Sequence, residues 1–385
     1  MTTLGIGVIG CGNISTAYFS FAPLFSGIEM RACADLDIQT ARAQAERFGL
    51  RAMSVEELLA ADDINIVVNL TVPDAHFAVS RAILQAGKHA YTEKPLVLSM
   101  ADATALKALA EETGQRVGAA PDTFLGGANQ RARALIDDGA VGCVTSATAV
   151  FMNHGMEHWH PNPDFFFKPG GGPILDMGPY YISALVNLIG PVRRVAALSS
   201  IGTGTRTITS EPRSGQTMEV ETPTSIHALL EFVSGATATF IASWDVWAHR
   251  HENMELYGTE GSLYVPDPNF FGGAVIAGGK DRTAVETLPE WDHPLGRPNE
   301  TKGVIERANY RAVGLAEMAQ AISENRPHRC SLDLAIHTVD AMTSILASGE
   351  NGDFVTLSST CDRPAALAPE QARTLMADRA VIAAD

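Results

Sequence analysis

The stretch Leu4–Ser15, LGIGVIGCGNIS, is an apolar run with strand character that passes into glycines at the point where a helix should begin. Gly10 permits a tight turn at this junction, and Gly12 lets the backbone approach a ligand without a side chain in the way. The helix that starts at Asn13 and Ile14 would present unpaired amide groups and the positive end of its dipole to an anion. We therefore predict that this stretch binds the pyrophosphate of a dinucleotide.

A second apolar run, Met30–Ala34, ends in Asp35, and its distance from the glycines is typical of dinucleotide-binding units. A carboxylate at this strand end can accept hydrogen bonds from both hydroxyls of the adenosine ribose. A 2′-phosphate would instead meet that carboxylate, and Leu36 offers no guanidinium to bind it. We therefore expect NAD as the cofactor, with NADP the weaker choice; the alternative is that Asp35 is only a turn carboxylate.

The composition is that of a globular chain with two domains. The chain has 385 residues, 46% of them hydrophobic, and it contains no run of the roughly 20 apolar residues that a membrane-spanning helix needs. The N-terminus enters a strand at Leu4 without the basic and apolar segments of a signal peptide. We expect a cytoplasmic protein with no membrane partner.

Charge and cysteine content narrow the classes of partner. The formal net charge is −16 and no Lys/Arg-rich stripe offsets it, so we expect no nucleic-acid partner. The five cysteines are widely spaced and form no C-x-x-C pair, which argues against a disulfide framework or a structural zinc site. We expect reduced thiols, mostly buried, and a small neutral metabolite as the ligand.

Residues 1–122 alternate short apolar segments with amphipathic helical stretches, the pattern of a parallel sheet with helices on both faces. Ser54 with Glu57 and Ser99 with Asp102 have the spacing of helix N-terminal capping boxes. This pattern predicts an α/β dinucleotide-binding Rossmann domain. Its predicted strands are Leu4–Ile9, Met30–Ala34, Ile64–Leu70, His89–Thr92 and Arg116–Ala119.

Residues 123–385 are dominated by β-branched, alternating segments, and they predict an α+β domain with a large open, mainly antiparallel sheet. We assign substrate binding and oligomerisation to this domain, and we expect long loops at 203–216 and 270–301. The predicted strands are Val144–Met152, Val192–Ser200, Ile226–Val233, Ala236–Trp244 and Asn253–Tyr257, and the predicted helices are Pro179–Ile189, Tyr310–Glu324 and Leu332–Ser348. Helices on one face leave the other face of the sheet uncovered, and a second subunit is the usual cover, so we expect a homodimer or homotetramer.

Two further motifs carry a family resemblance. The first is Gly87–Pro95, GKHAYTEKP, and the second is Gly170–Tyr180, GGGPILDMGPY. With the opening glycines, they make the chain resemble the Gfo/Idh/MocA family of NAD(P)-dependent oxidoreductases, which includes glucose–fructose oxidoreductase and inositol dehydrogenase. The likeness runs over nearly the whole chain and includes Thr71-Val72-Pro73 with His76, the Ala120-Pro121-Asp122 connection, Arg311-x-x-Gly314 and His337.

The resemblance implies that Lys94 is a catalytic residue and that the peptide bond before Pro95 is cis or part of a tight turn. Lys94 would then face the substrate, where burial and a positively charged nicotinamide lower its pKa and allow it to help remove the proton of the reacting hydroxyl. Glu93 and Lys94 are also expected to contact the cofactor. The alternative is a surface lysine that pairs only with Glu93.

Asp176 and Tyr180 are one helical turn apart and can point to the same side. The resemblance implies an Asp and a His at this pair, and here Tyr180 replaces the histidine. A phenol has a reference pKa of about 10, so it is a poor base unless a cation such as Lys94 lowers that value. We expect Lys94, with Tyr180 as a relay, to act as the general base, and a histidine of the neighbouring loop is the alternative.

That loop, Asn153–Pro163, is rich in polar and aromatic side chains and is predicted to line the substrate pocket. Trp159 would stack on the apolar face of a sugar, and His158 and His160 would bind its hydroxyls. The His-x-x-x-His-x-His spacing also permits a metal site, but hydride transfer needs no metal, and we expect none.

Thr71, Pro73 and His76 follow a parallel strand at the edge of the sheet where ligands bind in open α/β folds. We expect all three to contact the cofactor. His76 could equally be an internal helix cap.

The combined prediction is an NAD-dependent dehydrogenase that moves hydride between the nicotinamide and a hydroxyl-bearing carbon of a sugar, cyclic polyol or related carbohydrate. One alternative is an enzyme whose tightly bound NAD is regenerated in each cycle of elimination or epimerisation on a glycoside. A second is a regulator that senses NAD without catalysis.

Overall fold

The structure is a computed structural model that describes residues 3–280, 286–289 and 291–378. Its first sheet has six parallel strands in the order β3-β2-β1-β4-β5-β6, the strand order of dinucleotide-binding domains. The strands are β1 (Leu4–Ile9), β2 (Ile28–Ala34), β3 (Arg51–Met53), β4 (Ile66–Asn69), β5 (His89–Thr92) and β6 (Val117–Ala119). The predicted Rossmann fold is confirmed; the short β3 escaped prediction because three residues carry no readable periodicity.

Helices connect these strands, and two of them begin at the predicted serine caps. Ser54 and Glu57 form a complete capping box, and Ser99 accepts a hydrogen bond from the Asp102 amide. Gly49 and Gly114 end their helices in the left-handed conformation that glycine adopts most easily. The helices are α1 (Asn13–Phe21), α2 (Ile38–Phe48), α3 (Val55–Ala60), α4 (His76–Gln85), α5 (Met100–Thr113) and α6 (Gly127–Asp137).

The second sheet has nine strands, and all neighbours pair antiparallel except β7 and β12, which run parallel. Its order is β16-β15-β14-β13-β7-β12-β11-β8-β19, which confirms the large, mainly antiparallel sheet. Its strands are β7 (Val144–Met152), β8 (Val192–Ser200), β11 (Ser225–Phe232), β12 (Thr237–Ser243), β13 (Met254–Gly258), β14 (Gly261–Val265), β15 (Ile276–Gly279), β16 (Glu286–Thr287) and β19 (Val355–Thr356).

Two segments predicted to be long loops contain strands. The segment 203–216 includes β9 (Thr205–Thr207), which pairs with β10 (Thr217–Glu219). The segment 270–301 includes β15 and β16 and leads into β17 (Glu300–Lys302), which pairs with β18 (Ile305–Arg307). The predictions were wrong because short ribbons and edge strands are held by pairing and need little apolar alternation.

One face of the second sheet is covered by α7 (Pro173–Ile189) and α9 (Leu332–Asn351). Helix α7 begins at Pro173, not at Pro179 as predicted, and Pro179 lies inside the helix. A proline usually marks a first turn, but α7 is buried almost throughout against the sheet, and this packing outweighs the lost amide. The remaining helices are α8 (Val313–Ser323) and α10 (Pro369–Leu375).

The other face of this sheet leaves apolar side chains in solvent. Leu198 of β8 and Leu229 of β11 are 73% and 57% exposed, and the two strands are neighbours.

Four of the five cysteines are buried, Cys143 is exposed, and all five are free thiols. None of the helices in the described part of the chain is long and apolar enough to cross a membrane.

Late segments of the chain return to the first domain. The Ala119 amide donates to the Cys330 carbonyl at 3.1 Å, and the Ser26 amide donates to the Leu375 carbonyl at 2.8 Å. Gly314, in the first turn of α8, packs so tightly that a Cβ there would lie 2.2 Å from the Tyr91 hydroxyl. These contacts hold the late segments of the chain against the first domain.

Candidate active site

The glycine loop between β1 and α1 has the geometry of an anion-binding turn. Gly10 has φ +99°, and a Cβ there would lie 2.6 Å from the Leu70 carbonyl group. A Cβ at Gly12 would meet nothing within 4 Å, so the space beyond this exposed residue is open to a ligand. No side chain caps the start of α1 at Asn13, and its first amides are free to bind phosphate oxygens.

Ser15 and Asp35 hold this loop in shape. The Ser15 hydroxyl is buried and donates to the Gly12 carbonyl at 2.7 Å, so a small polar side chain serves at the position of the usual third glycine. Asp35 Oδ2 accepts from the Cys11 amide at 2.8 Å, and Oδ1 accepts from the Asp37 amide at 3.0 Å. The carboxylate is therefore fixed at the end of β2, and Leu36 beside it is fully exposed.

A buried polar scaffold supports the end of β4. Asn69 Oδ1 accepts from the Thr71 amide and hydroxyl, and its Nδ2 donates to the His76 carbonyl and to Ser80. The structure places the His76 side chain in the interior, with Nδ1 2.7 Å from the Pro95 carbonyl oxygen and Nε2 3.0 Å from that of Thr71. His76 thus holds two segments together behind the cleft, whereas Thr71 and Pro73 lie at its half-exposed edge.

Lys94, after the end of β5, reaches across the cleft to the first turn of α7. Its Nζ donates to Asp176 Oδ1 at 2.6 Å and to the Asp176 carbonyl at 2.8 Å. The Lys94 and Asp176 side chains are each 17% exposed, and the Lys94–Pro95 peptide is cis. Because β1 and β5 both flank β4, the strand ends that precede the glycine loop and Lys94 lie two strand spacings apart, about 10 Å.

The protonation of Lys94 differs from the sequence-based expectation. Burial alone would lower its pKa, but the Asp176 carboxylate and the neighbouring Tyr180 more than offset this effect, and the pKa lies above its usual value. The expected lowering is therefore wrong for the protein alone, because the sequence gives no distance between Lys94 and Asp176. Lys94 is an ammonium group at neutral pH and a hydrogen-bond donor.

Tyr180 packs against Lys94, whose Nζ lies 5.3 Å from the centre of the phenol ring. Burial raises the pKa of Tyr180, and the nearby Lys94 and Arg311 cations counteract only part of that rise. The phenol is therefore neutral at physiological pH. It can donate a hydrogen bond into the cleft, and it is a weak base.

Sequence reasoning did not predict the network of buried polar side chains around Tyr180 and Glu93. Arg311 donates to the Tyr180 hydroxyl at 3.4 Å, and the Tyr18 hydroxyl donates to Glu93 Oε1 at 3.0 Å. Burial raises the pKa of Asp122 to about 6, and Asp122 accepts from the Gly314 amide at 3.0 Å. The Arg311-x-x-Gly314 spacing was a signal for part of this network, but Tyr18 looked like any helical core residue.

The three predicted substrate residues of the loop after β7 lie in different surroundings. His158 is exposed and borders a large cavity of the second domain. Trp159 is 56% exposed, and His160 lies edge-on to Phe165 and Phe166. Lys94 and Asp176 do not border that cavity, and among the described residues no three His, Cys, Asp or Glu side chains are grouped as metal ligands.

Two family models match the chain. Residues 4–120 match the family described as an oxidoreductase family with an NAD-binding Rossmann fold, and residues 129–264 match the GFO/IDH/MocA C-terminal domain. An uncharacterized oxidoreductase of Rhizobium meliloti is 27% identical over 93% of this chain and 100% of its own length. A dTDP-3,4-didehydro-2,6-dideoxy-alpha-D-glucose 3-reductase of Streptomyces violaceoruber is 30% identical over 68% of this chain and 72% of its own.

Among solved structures, the apo form of levoglucosan dehydrogenase superposes with a TM-score of 0.79. It is 20% identical in sequence, and the match covers 94% of this chain and 100% of the other. At that identity, the likeness establishes the fold alone.

The open space at Gly12 predicts a selective loss of nucleotide binding. In Gly12→Val, the added side chain would enter the space where phosphate must approach, so we expect NADH affinity to fall by roughly tenfold or more. The melting temperature should fall only slightly, because a Cβ at this position meets no protein atom within 4 Å, although valine is a poorer N-cap residue than glycine. Fluorescence titration with NADH and thermal unfolding measure both effects.

Gly204→Val is the matched control, because a Cβ at Gly204 also meets nothing within 4 Å. It should leave NADH affinity unchanged. Normal NADH affinity in Gly12→Val would contradict the assignment of the loop.

Proposed function

The chain belongs to the Gfo/Idh/MocA family of NAD-binding oxidoreductases, and from this premise we propose that it is an NAD-dependent dehydrogenase acting on a carbohydrate. The reaction moves hydride between the nicotinamide and a hydroxyl-bearing carbon of a sugar, cyclic polyol or related compound. One observation carries the proposal: an ion pair of Lys94 and Asp176 lies at the same edge of the parallel sheet as the glycine loop. The sugar-acting name of the Streptomyces violaceoruber reductase supports the carbohydrate class.

The residues of this chain fit the cofactor. Amides at the start of α1 would bind the pyrophosphate, and Asp35 would bind the ribose. The bound nicotinamide supplies or accepts the hydride. A fixed carboxylate with a fully exposed leucine beside it supports NAD over NADP, since neither group would bind a 2′-phosphate.

In the proposed mechanism, Lys94 handles the proton of the reacting oxygen. When a ketone is reduced, the Lys94 ammonium donates to the oxygen as negative charge develops there, and the neutral Tyr180 phenol is a second donor. Asp176 orients the ammonium and keeps it charged. In the oxidative direction, the neutral amine accepts the hydroxyl proton, so alcohol oxidation is favoured at higher pH.

The first prediction of this mechanism concerns turnover. A panel of aldoses, inositols, glycosides and their keto forms, assayed with NAD or NADH, should give a change in reduced-nicotinamide absorbance for at least one compound. Lys94→Ala should then lower turnover by roughly 100-fold or more, because a positioned proton-transfer group is lost. NADH affinity should be nearly unchanged in this variant.

Lys107→Ala is the control, since Lys107 is an exposed lysine paired with Asp333 away from the cleft. It should retain full activity. If Lys94→Ala is as active as the parent protein, Lys94 has no part in the reaction.

The second prediction concerns pH. Carbonyl reduction needs protonated Lys94. The kcat/KM of reduction should therefore be constant through neutral pH, and it should fall only as the pH rises through the raised pKa of Lys94. Asp176→Asn removes the carboxylate that raises this pKa. The alkaline fall should therefore begin about 1–3 pH units lower.

Asp176→Glu keeps the negative charge and should leave the position of the fall near that of the parent protein. Pre-steady-state or kcat/KM measurements across the pH range give this position even if the absolute rates drop. An unchanged position in Asp176→Asn would show that Asp176 does not control the proton on Lys94.

We also propose a cytoplasmic homodimer or homotetramer in which the exposed face of the nine-stranded sheet meets a second copy. The exposed side chains of Leu198 and Leu229 support this face as the contact between subunits. The five free, widely spaced cysteines support a cytoplasmic location. Light scattering should give at least twice the chain mass of 40.9 kDa. Leu229→Asp should dissociate the assembly. The control Val304→Asp, at a residue already 98% exposed, should leave it intact. If light scattering gives the mass of a single chain for the parent protein, the proposed oligomer is wrong.

A further inference from the structure

A large cavity lies in the second domain and is not accounted for by the Lys94–Asp176 pair. Its volume is about 1030 Å³, at the upper end of the range for small-molecule sites. Its walls come from the loop after β7, the β9 ribbon and the segment after β12. No residue of the nucleotide-binding domain borders it, and neither do Asp176 and Tyr180.

Buried charged groups form the floor of this cavity. The Arg206 and Glu157 side chains are 5% and 7% exposed and form an ion pair at 2.5 Å. The same guanidinium donates to Asp245, to the Trp244 carbonyl at 2.7 Å and to the His154 carbonyl at 3.0 Å. The Arg206 side chain thus connects the three chain segments that form the walls of the cavity.

Several polar atoms in this floor have no protein partner among the described residues. They are Arg206 Nε, Glu157 Oε2 and His154 Nδ1, and all three atoms are buried within the protein. Buried polar atoms are rarely left unsatisfied in native proteins. The side chains that border the cavity therefore include charged and polar groups with hydrogen-bonding capacity left over.

The walls indicate the class of ligand. Trp247 stacks one face on His154, with ring centres 3.3 Å apart, yet its side chain is 83% exposed, so the opposite face is available. Four threonines line the same space: Thr203, Thr205, Thr207 and Thr209. An exposed indole face with many neutral hydroxyls fits a sugar ring, which has an apolar C–H face and a hydroxylated rim.

The charged residues of the cavity disfavour anionic ligands. Glu157 and Asp245 carry two negative charges and Arg206 one positive, so these three residues sum to −1 and would repel phosphate. Within the described residues, no ligand set for a metal ion is present. These charges disfavour an anion, and the exposed indole face and the threonines of the walls favour a neutral polyhydroxy ligand over an organic cation.

An apolar cluster backs the cavity floor. Phe167 and Trp244 are fully buried with ring centres 5.3 Å apart, and the Arg206 guanidinium lies 5.1 Å from the Phe167 ring. Met156, Ile208, Met218 and Val220 complete this cluster, which is separate from the main core. The cavity therefore has its own structural support, independent of the cleft that holds Lys94.

We propose that this cavity is a second carbohydrate-binding site, outside the catalytic cleft, in which a neutral sugar ring stacks on Trp247 and is bound by the threonine hydroxyls. No bond is made or broken there. Binding at this site requires neither nucleotide nor turnover.

The experiment uses the full chain labelled with 5-fluorotryptophan, which gives one ¹⁹F resonance for each of the four tryptophans. The Trp247 resonance is identified by its absence in Trp247→Phe. The probes are methyl β-D-glucopyranoside and cellobiose, at up to about 100 mM and without nucleotide. The Trp247 resonance should shift saturably with at least one probe, both in the parent protein and in Lys94→Ala.

Thr207→Val should weaken that binding by roughly 2–10-fold, because it removes one hydroxyl while keeping the shape of the side chain. Thr237→Val, an equally exposed threonine outside the cavity, should have no effect. Any one of three results would overturn the proposal: no saturable shift with either probe, loss of the shift in Lys94→Ala, or equal affinities in the two threonine variants. Because the readout is not activity, a failed dehydrogenase assay leaves this test intact.

Discussion

The ion pair between Lys94 and Asp176 is the contact on which the functional arrangement depends. One partner follows a strand of the nucleotide-binding domain and the other belongs to the first turn of the long helix of the second domain. Their contact fixes where the two domains meet and keeps a positive charge in a mostly buried place. That charge would otherwise be costly to bury, because desolvation alone would lower the pKa of the lysine. The carboxylate therefore determines both the position and the protonation of the amine.

Rigid packing around this pair makes its geometry reproducible. His76 joins the segment after β4 to Pro95, directly behind Lys94. On the other side, Arg311 approaches the Tyr180 hydroxyl, and Gly314 lets its helix pack closely against Tyr91 and Asp122. These contacts restrict the motion of Lys94 and Tyr180.

The second domain combines a regular scaffold with an irregular insertion. The nine-stranded sheet and its two long helices are a continuous packed core, whereas the loop after β7 and the β9–β10 ribbon form a small apolar cluster of their own. Arg206 holds this insertion together through contacts to three segments. A buried guanidinium needs several acceptors, so the segments around it are constrained even where regular secondary structure is short.

The local sequence determined what depends on local physics. The glycine turn, Asp35 at its strand end, the capping serines and both fold classes follow from conformational preferences and periodicity, which need no distant partner. Tertiary structure alone decided the start of α7, the interior position of His76, the approach of Arg311 to Tyr180 and the raised pKa of Lys94. Each of these depends on a distance between residues far apart in the chain. Desolvation and Coulomb interactions depend on such distances, and the order of residues alone does not contain them.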